Sequence, residues 1–413
     1  MIRASLFTSV DEHKRIWFEI SFLLITAILA ELLVVYIKQP FVMSLLIVGV
    51  LISPSFISLT WPFLSNTVNS IAFNVISLPL EPPKLVAFDE IVRVFAQLGA
   101  IILLFKIGLH SEIKKIFTFR NMVVAALGII IPFAGGYYYA TLTGEGSAYA
   151  LFLGAALTAT SVGVTVAILE EFKLLEREFS KIILGAAVID DILSLLVLSF
   201  VSTTGTGTFE TLLPILFSAF IFVVGGIFLG QLIVSRYFNT IEEEVSNRIF
   251  LAAMVYVFAY AYIAEFIGLS SIIGAFIAGV TLNYSKIANS LLKFISPLEN
   301  FFTPIFFISL GLLVDVNALG DFLIPILIVT GIAILSKLIA CGVVALGSGL
   351  SFLESLIVGF GMVPRGEIAL IIALYGLTSG ILSPSQYSVI TAMAFLTTFI
   401  TPPIIQTLVS KTQ

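Results

Sequence analysis

Residues 181–202 read KIILGAAVIDDILSLLVLSFVS. This stretch is long and apolar enough to cross a membrane as a helix, which takes about 20 mostly apolar residues. Yet Asp190 and Asp191 stand side by side at its middle. Each carboxylate at the centre of a bilayer costs about 2.5–3.5 kcal/mol on insertion scales. The pair must therefore face a protein interior or a water-filled cavity, and it indicates a path for cations or protons.

The composition of the whole chain is that of a polytopic membrane protein. Of its 413 residues, 59% are hydrophobic and 11% are charged, whereas soluble domains have about 25% charged residues. We therefore predict an all-α protein embedded in the lipid bilayer. The net charge of −5 gives no support to nucleic-acid binding. With one cysteine, Cys341, no intrachain disulfide can form, and the two histidines, His13 and His110, are too few to indicate a metal centre.

Apolar runs of spanning length recur along the chain. We predict thirteen spans, of which two are short, 41–52 and 270–282, and could instead be re-entrant segments. The long segment 53–90 fits either an amphipathic helix at the membrane interface or an irregular connector. The full-length spans are predicted near 16–37, 91–109, 122–142, 147–169, 180–202, 212–234, 246–267, 297–314, 322–345, 351–378 and 386–409.

Most Lys and Arg residues fall in alternate loops. By the positive-inside rule these loops are cytoplasmic, which places the N-terminus outside and the C-terminus inside the cell membrane. A smaller set of basic residues falls on the opposite side. The cytoplasmic set is Lys38, Lys114, Lys115, Arg120, Lys173, Arg177, Lys181, Arg236, Arg248, Lys286, Lys293 and Lys411, and the opposing set is Arg3, Lys14, Arg15, Lys84 and Arg93.

Two features recur in the second half of the chain at nearly the same offset. The end of the third span, 105–109, is similar to the end of the tenth, 308–312. The polar pair Thr160-Ser161 in the fifth span corresponds to Arg365-Gly366 in the twelfth. These matches predict two six-span repeats, spans 1–6 and 8–13. Because an odd number of spans separates them, the repeats would be inverted in the membrane, which is typical of transporters.

Both polar pairs lie where a helix is weak. In 157–165, LTATSVGVT, hydroxyls and freed carbonyls could bind a small cation, although a Ser/Thr-lined helix contact is the alternative. In the twelfth span, Pro364 removes a backbone donor and Gly366 adds freedom, so the helix should break. Arg365 and Glu367 could then neutralise the opposed ends of two half helices, or they could simply lie at the cytoplasmic end of the span.

Lys337 lies in the middle of the eleventh span, too deep to reach water easily. It needs an anionic partner, and the aspartate pair is the natural candidate. Because adjacent helix positions point about 100° apart, one aspartate can pair with Lys337 while the other faces an ion cavity. Such a closely coupled group would titrate as a unit. Lys106, Glu31 and Glu265 are also charged within spans, and the sequence assigns them no role.

Taken together, these residues resemble the sodium/proton antiporters of the monovalent cation:proton antiporter-2 family over essentially the whole chain. The resemblance implies thirteen helices in two inverted six-helix repeats, with two crossed, broken helices, and a homodimer. It implies a dimerisation domain (1–110 and 241–315), a core domain (111–205 and 316–413) and a linker helix (206–240). The motifs that carry the resemblance are Leu103–Leu109, Thr158–Thr165, Val188–Asp191, Gly268–Phe276, Phe306–Leu312 and Pro364–Glu367.

Within that family, an Asp-Asp pair with a core lysine is similar to the electrogenic members. The resemblance therefore implies a non-enzymatic exchange of Na⁺, with Li⁺ as a further candidate, for H⁺, without any cofactor beyond the transported ions. Lys106 and His110 depart from the family, which usually has an apolar and an acidic residue there. The resemblance implies an ion site at Asp191. With the residues singled out above, the predicted ion- and proton-binding set is Asp190, Asp191, Lys337, Thr160 and Ser161. Asp191, Asp190, Thr160 and Ser161 are the predicted Na⁺ ligands, and Arg365 and Glu367 compensate charge at the helix crossing.

Three alternatives fit parts of the sequence. A potassium/proton exchanger would use the same carboxylate and hydroxyl oxygens. A cation channel would need a continuous pore, whereas inverted repeats with broken helices favour alternating access. An intramembrane aspartyl protease would take its two acids from two helices, whereas both acids here lie on one. For an exchanger, a ratio of two protons to one sodium ion follows if two groups of the site each carry one proton.

Overall fold

The computed structural model describes residues 12–37, 41–71, 81–83, 85–86, 90–110, 118–203, 209–238, 247–267, 271–314 and 316–411. Every regular element in these ranges is a helix, as the apolar runs predicted. The first half forms nine helices in the described residues. They are α1 (Glu12–Ile37), α2 (Phe41–Leu51), α3 (Pro54–Ile71), α4 (Glu90–Leu109), α5 (Phe119–Leu142), α6 (Ser147–Thr158), α7 (Val162–Glu171), α8 (Glu178–Thr203) and α9 (Phe209–Ile233).

The described residues from 234 onward form nine more helices and two π-helical turns. The turns are Val234–Phe238, which continues α9, and Leu338–Gly342, which joins α14 to α15. The helices are α10 (Asn247–Phe266), α11 (Ser271–Leu282), α12 (Ala288–Leu312), α13 (Val316–Asp321), α14 (Leu323–Lys337), α15 (Val343–Gly347), α16 (Phe352–Gly361), α17 (Glu367–Thr378) and α18 (Pro384–Val409).

Local sequence sets where several of these helices begin. Ser351 and Glu354 form a capping box at α16, in which each side chain binds the other residue's backbone N–H. Ser383 and Gln386 do the same at α18, whose first residue is proline. These caps pair backbone N–H groups that would otherwise lack an intrahelical acceptor.

Nine helical stretches in the described residues are long and apolar enough to cross a membrane, and a bent pair brings the number to ten. Among these stretches, α6 and α7 together form one, as do α14 and α15 with their π turn. Three shorter apolar helices also occur, Ser271–Leu282, Phe352–Gly361 and Ile368–Leu377. Thirteen spans therefore stays a prediction.

One alternative that the sequence left open is decided in part, and one predicted boundary is wrong. Of the two options for 53–90, the structure shows a helix, α3, at its start. Pro54 suits a first helical position, and the Ser53 hydroxyl accepts a hydrogen bond from Phe56 N. The helical option for 53–90 thus holds as far as Ile71, and α3 meets α2 at 58°. Helix α12 starts at Ala288, nine residues before the predicted start at 297. Pro297 therefore lies inside the helix, as membrane helices tolerate interior prolines.

The helices pack into two bundles. Bundle A consists of α1, α2, α4, α10, α11 and α12, and bundle B of α5 to α8 and α14 to α18. Helix α9 packs on α11 of one bundle and α8 of the other. Helix α7 also touches both, because it contacts α2 and α4 as well as α8 and α18. The roles of these parts as dimerisation domain, core domain and linker stay predictions.

Two close helix crossings in bundle A have matching partners. Helices α4 and α11 cross at Gly108 and Gly279, where a Cβ added to Gly108 would lie 2.3 Å from Phe276 O. Helices α2 and α12 cross in the same way at Gly49 and Gly311. The second helix of each predicted repeat thus packs on the third spanning helix of the other, an arrangement that supports the repeat inferred from sequence.

Candidate functional site

Two helices of bundle B are broken where the sequence predicted. Residues 159–161 separate α6 from α7, and residues 362–366 separate α16 from α17. The two extended segments cross, and Ser161 N donates a hydrogen bond to Pro364 O at 2.7 Å. A Cβ at Gly366 would lie 2.5 Å from the Ser161 Cβ, so the crossing requires glycine there.

Arg365 lies at this crossing and is 2% exposed. Its guanidinium donates to Ala159 O at 3.1 Å, Met362 O at 3.2 Å and Ala333 O at 3.2 Å. Ala159 and Met362 are the C-caps of α6 and α16. The positive charge therefore lies at the negative ends of two half helices, where it is most stabilising. Glu367 is the first residue of α17, and its side chain lies outside the described residues.

A buried ion pair lies in the same bundle. Lys337 Nζ donates to Asp190 Oδ1 at 3.0 Å, and both side chains are 0% exposed. This is the contact that the sequence predicted for Lys337. The second carboxylate oxygen of Asp190, Oδ2, is buried without a hydrogen-bond partner in the described part of the chain, although Thr160 lies close to the carboxylate. A buried carboxylate oxygen without a hydrogen-bond partner can accept a proton or bind a cation.

Two residues that the sequence analysis did not assign to the site shape this pair. A Cβ at Gly128, on α5, would lie 3.3 Å from Lys337 Nζ and 3.0 Å from Cys341 Sγ. Glycine thus leaves space for the two side chains. Cys341 follows Lys337 by four residues, a spacing that puts both side chains on one helix face. The sequence could therefore have placed Cys341 next to Lys337. Nothing in the sequence near Gly128 distinguishes it.

The remaining predicted site residues lie around the crossing. Thr160 is 6% exposed, and its hydroxyl lies 3.5 Å from Met362 O. Ser161 is partly exposed and is the N-cap of α7. Asp191 follows Asp190 on α8, and its side chain lies outside the described residues. The ion-ligand set therefore stays a prediction.

A cleft opens between the bundles beside the crossing. Arg365 and Gly366 line it from bundle B, and Leu310 and Leu313, at the C-terminal end of α12, line it from bundle A. Thr398 also lines it and donates a hydrogen bond to Arg365 O at 2.8 Å. A small, partly open cleft thus lies between the bundles next to the crossing segments.

Broken helices that cross beside a buried acid–base pair are the architecture of a secondary transporter. The transmembrane sodium/hydrogen exchanger family matches residues 21–411, and the chain belongs to that family. It is 34% identical to the Na(+)/H(+)-K(+) antiporter GerN of Bacillus cereus, over 94% of this chain and 95% of that protein. It is 37% identical to the high-affinity Na(+)/H(+) antiporter NhaS3 of Synechocystis sp., over 77% of this chain and 71% of that protein.

A solved structure shares the fold. The sodium proton antiporter MjNhaP1 from Methanocaldococcus jannaschii aligns with a TM-score of 0.64 at 17% identity, over 94% of this chain and 98% of that chain. The antiporter family and the all-α membrane fold predicted from the motifs are confirmed.

Proposed function

We propose that the protein is a secondary active antiporter that exchanges Na⁺ for H⁺, electrogenically and by alternating access. The family supports this proposal, as do the names of the relatives, which are Na⁺/H⁺ antiporters. We further propose the cell membrane as its location, the N-terminus outside, the C-terminus in the cytoplasm, a homodimer as its assembly and pH homeostasis as its role.

The observation that carries the proposal is the fully buried Asp190–Lys337 pair beside the helix crossing. An unpaired charge in such a place costs several kcal/mol, roughly 3–5 when one partner is removed. Sodium can therefore enter only as positive charge leaves. In the proposed cycle Na⁺ binds ionised Asp191 with Thr160 and Ser161. Its arrival favours separation of the pair and release of a proton.

On the opposite side the order reverses, and bundle B moves against bundle A to expose the site there. If Asp191 and the Asp190–Lys337 pair each carry one proton, two protons exchange for one sodium ion. Each cycle then moves net charge across the membrane.

The ligand role of Asp191 is tested by Asp191→Asn in proteoliposomes. We expect sodium-dependent proton movement to stop, because the amide can neither release a proton nor offer a negative charge to Na⁺. Glu176→Gln is the matched control: Glu176 is 74% exposed and lies in the loop between α7 and α8, so this variant should transport like the wild type. Exchange at the wild-type rate in Asp191→Asn would rule out the proposed site.

Electrogenicity is tested by imposing a voltage across the same vesicles with a potassium gradient and valinomycin. We expect an interior-negative potential to speed proton uptake coupled to sodium exit, because two positive charges then enter for each one that leaves. Exchange that is insensitive to voltage in both directions would show an electroneutral antiporter. Asp190→Asn should alter this voltage response more than it alters sodium binding.

Potassium/proton exchange is the second candidate, since the name of GerN includes potassium. Reconstituted transport with Na⁺, Li⁺ and K⁺ at several pH values separates the two. Higher turnover with K⁺ than with Na⁺ at every pH would favour the alternative.

A further inference from the structure

A second set of charged side chains lies far from the crossing, where α7 meets bundle A. Lys106 Nζ, on α4, lies 2.5 Å from Glu170 Oε1 and 2.7 Å from Glu299 Oε2. The three side chains are partly buried, with exposures of 19%, 23% and 13%. Lys106 and Glu299 belong to bundle A, whereas Glu170 is on α7 of bundle B. One of the two ion pairs therefore connects the bundles.

The next residue makes a second connection between the bundles. The Glu171 carboxylate accepts hydrogen bonds from Phe41 N at 3.1 and 3.0 Å. Phe41 is the first residue of α2, so Glu171 caps a helix of the other bundle. Two glutamates in the last turn of α7 oppose that helix's own dipole. Their favourable partners lie in bundle A, which indicates that these acids serve the contact between bundles rather than the stability of α7.

The middle and the C-terminal end of α12 differ in how they meet bundle B. Glu299, at the middle of the helix, belongs to the charged cluster. Leu310 and Leu313, at the C-terminal end, line the cleft beside Arg365. Counted at about 1.5 Å per residue, Glu299 and Leu313 are roughly 20 Å apart along the helix. The bundles are thus tied by charge near the middle of α12 and separated by a cleft at its C-terminal end.

We propose that Glu170 and Glu171 form a latch with Lys106 and the α2 N-terminus. This latch closes the cytoplasmic side while the cleft gives access from outside. The inference rests on the proposed alternating access and orientation. Opening toward the cytoplasm then requires that both contacts break. Weakening the latch shifts the population toward the state open to the cytoplasm.

The first test measures opening without measuring transport. Ala167 lies on α7 one turn before the two glutamates, on the same face and partly buried. In an Ala167→Cys background we expect Lys106→Met or Glu170→Gln to raise the labelling rate by a cytoplasmic, membrane-impermeant maleimide about fivefold, the effect of losing one partly buried ion pair. The native Cys341 is fully buried and gives a low background.

The matched control removes a charge pair at the same end that does not connect the bundles. Lys181 and Glu176 lie 3.5 Å apart, both within the α7–α8 region. Glu176→Gln should leave the labelling of Ala167→Cys unchanged. Equal labelling rates with and without Lys106 would overturn the latch, and so would an equal rise in the Glu176→Gln control.

The second test connects the latch to transport. Lys106→Cys/Glu170→Cys, joined by a short bismaleimide, should lose sodium/proton exchange relative to the same variant before cross-linking. Lys106→Cys/Glu299→Cys, joined within bundle A, should keep its rate. Exchange that continues after cross-linking of the first pair would overturn the latch. If the wild type itself failed to exchange Na⁺ for H⁺, the proposed function would fall, while the labelling result would still decide the latch.

Discussion

At the scale of single residues, the chemistry depends on how charge is held away from water. Asp190 and Lys337 have no exposed surface and are joined by one hydrogen bond, which leaves Asp190 Oδ2 without a partner in the described residues. Arg365 is almost as deep, but its guanidinium donates to three carbonyl oxygens instead of to an acid. The two cations therefore differ in kind. Arg365 is fixed by the helix ends, whereas Lys337 depends on one carboxylate that can change its charge.

The dependence of Lys337 on one carboxylate predicts how substitutions of Asp190 and Lys337 change the stability of the protein. Asp190→Asn or Lys337→Met alone should each cost about 3–5 kcal/mol, because each leaves an uncompensated buried charge. The double variant should cost much less than the two together, since neither charge remains. Thermal unfolding in detergent of the wild type, the two single variants and the double variant measures these losses of stability as a double-mutant cycle. Additive losses would show that the two side chains do not depend on each other.

The contact between Asp190 and Lys337 was predictable because intramembrane charges are rare and must find partners. Lys337 required an acid, and Asp190 was available. Gly128 was not predictable, because its importance lies in the 3.3 Å between an added Cβ and Lys337 Nζ, a distance that only packing creates. The pairing of Lys106 with Glu170 and Glu299 was hidden for the same reason, since it joins three helices distant in sequence.

At the scale of helices, close approach of backbones organises both the crossing and bundle A. The two helix breaks, at 159–161 and 362–366, lie where the sequence predicted them. Proline, glycine and clustered hydroxyl residues weaken helical hydrogen bonding locally. The π turn Leu338–Gly342, directly after Lys337, contains one glycine but no proline or hydroxyl residue, and the sequence did not predict it. The extent of helix α3 was not predictable, because it contains two prolines, one of which starts the helix and one of which lies inside it.

The glycine crossings give a prediction about helix packing. Gly108→Ala should destabilise the protein by about 1–3 kcal/mol, the usual cost of overpacking, because its Cβ would lie 2.3 Å from Phe276 O. Gly331→Ala, on α14, meets no atom within 4 Å. It should be neutral or stabilising by up to about 1 kcal/mol through helix propensity. The melting temperatures of the two variants, measured in the same detergent, compare these effects. Equal losses of stability in both variants would contradict the crossing geometry.

At the scale of the whole molecule, transport needs two bodies that move and a site between them. The structure provides two bundles, a cleft at one part of their contact and charged contacts at another. Sequence predicted the repeats through motifs that recur at one offset. It could not predict which surfaces of the two bundles meet, because that depends on side-chain packing between distant segments.

In the proposed cycle Na⁺ and H⁺ compete for the same acidic site. Sodium concentration jumps on proteoliposomes adsorbed to a solid-supported membrane measure this competition. We expect the apparent KM for Na⁺ to rise as the pH falls, approaching about tenfold per pH unit where one proton competes, with an unchanged maximal binding current. An apparent KM that stays constant across the pH range in which the protein transports would contradict it.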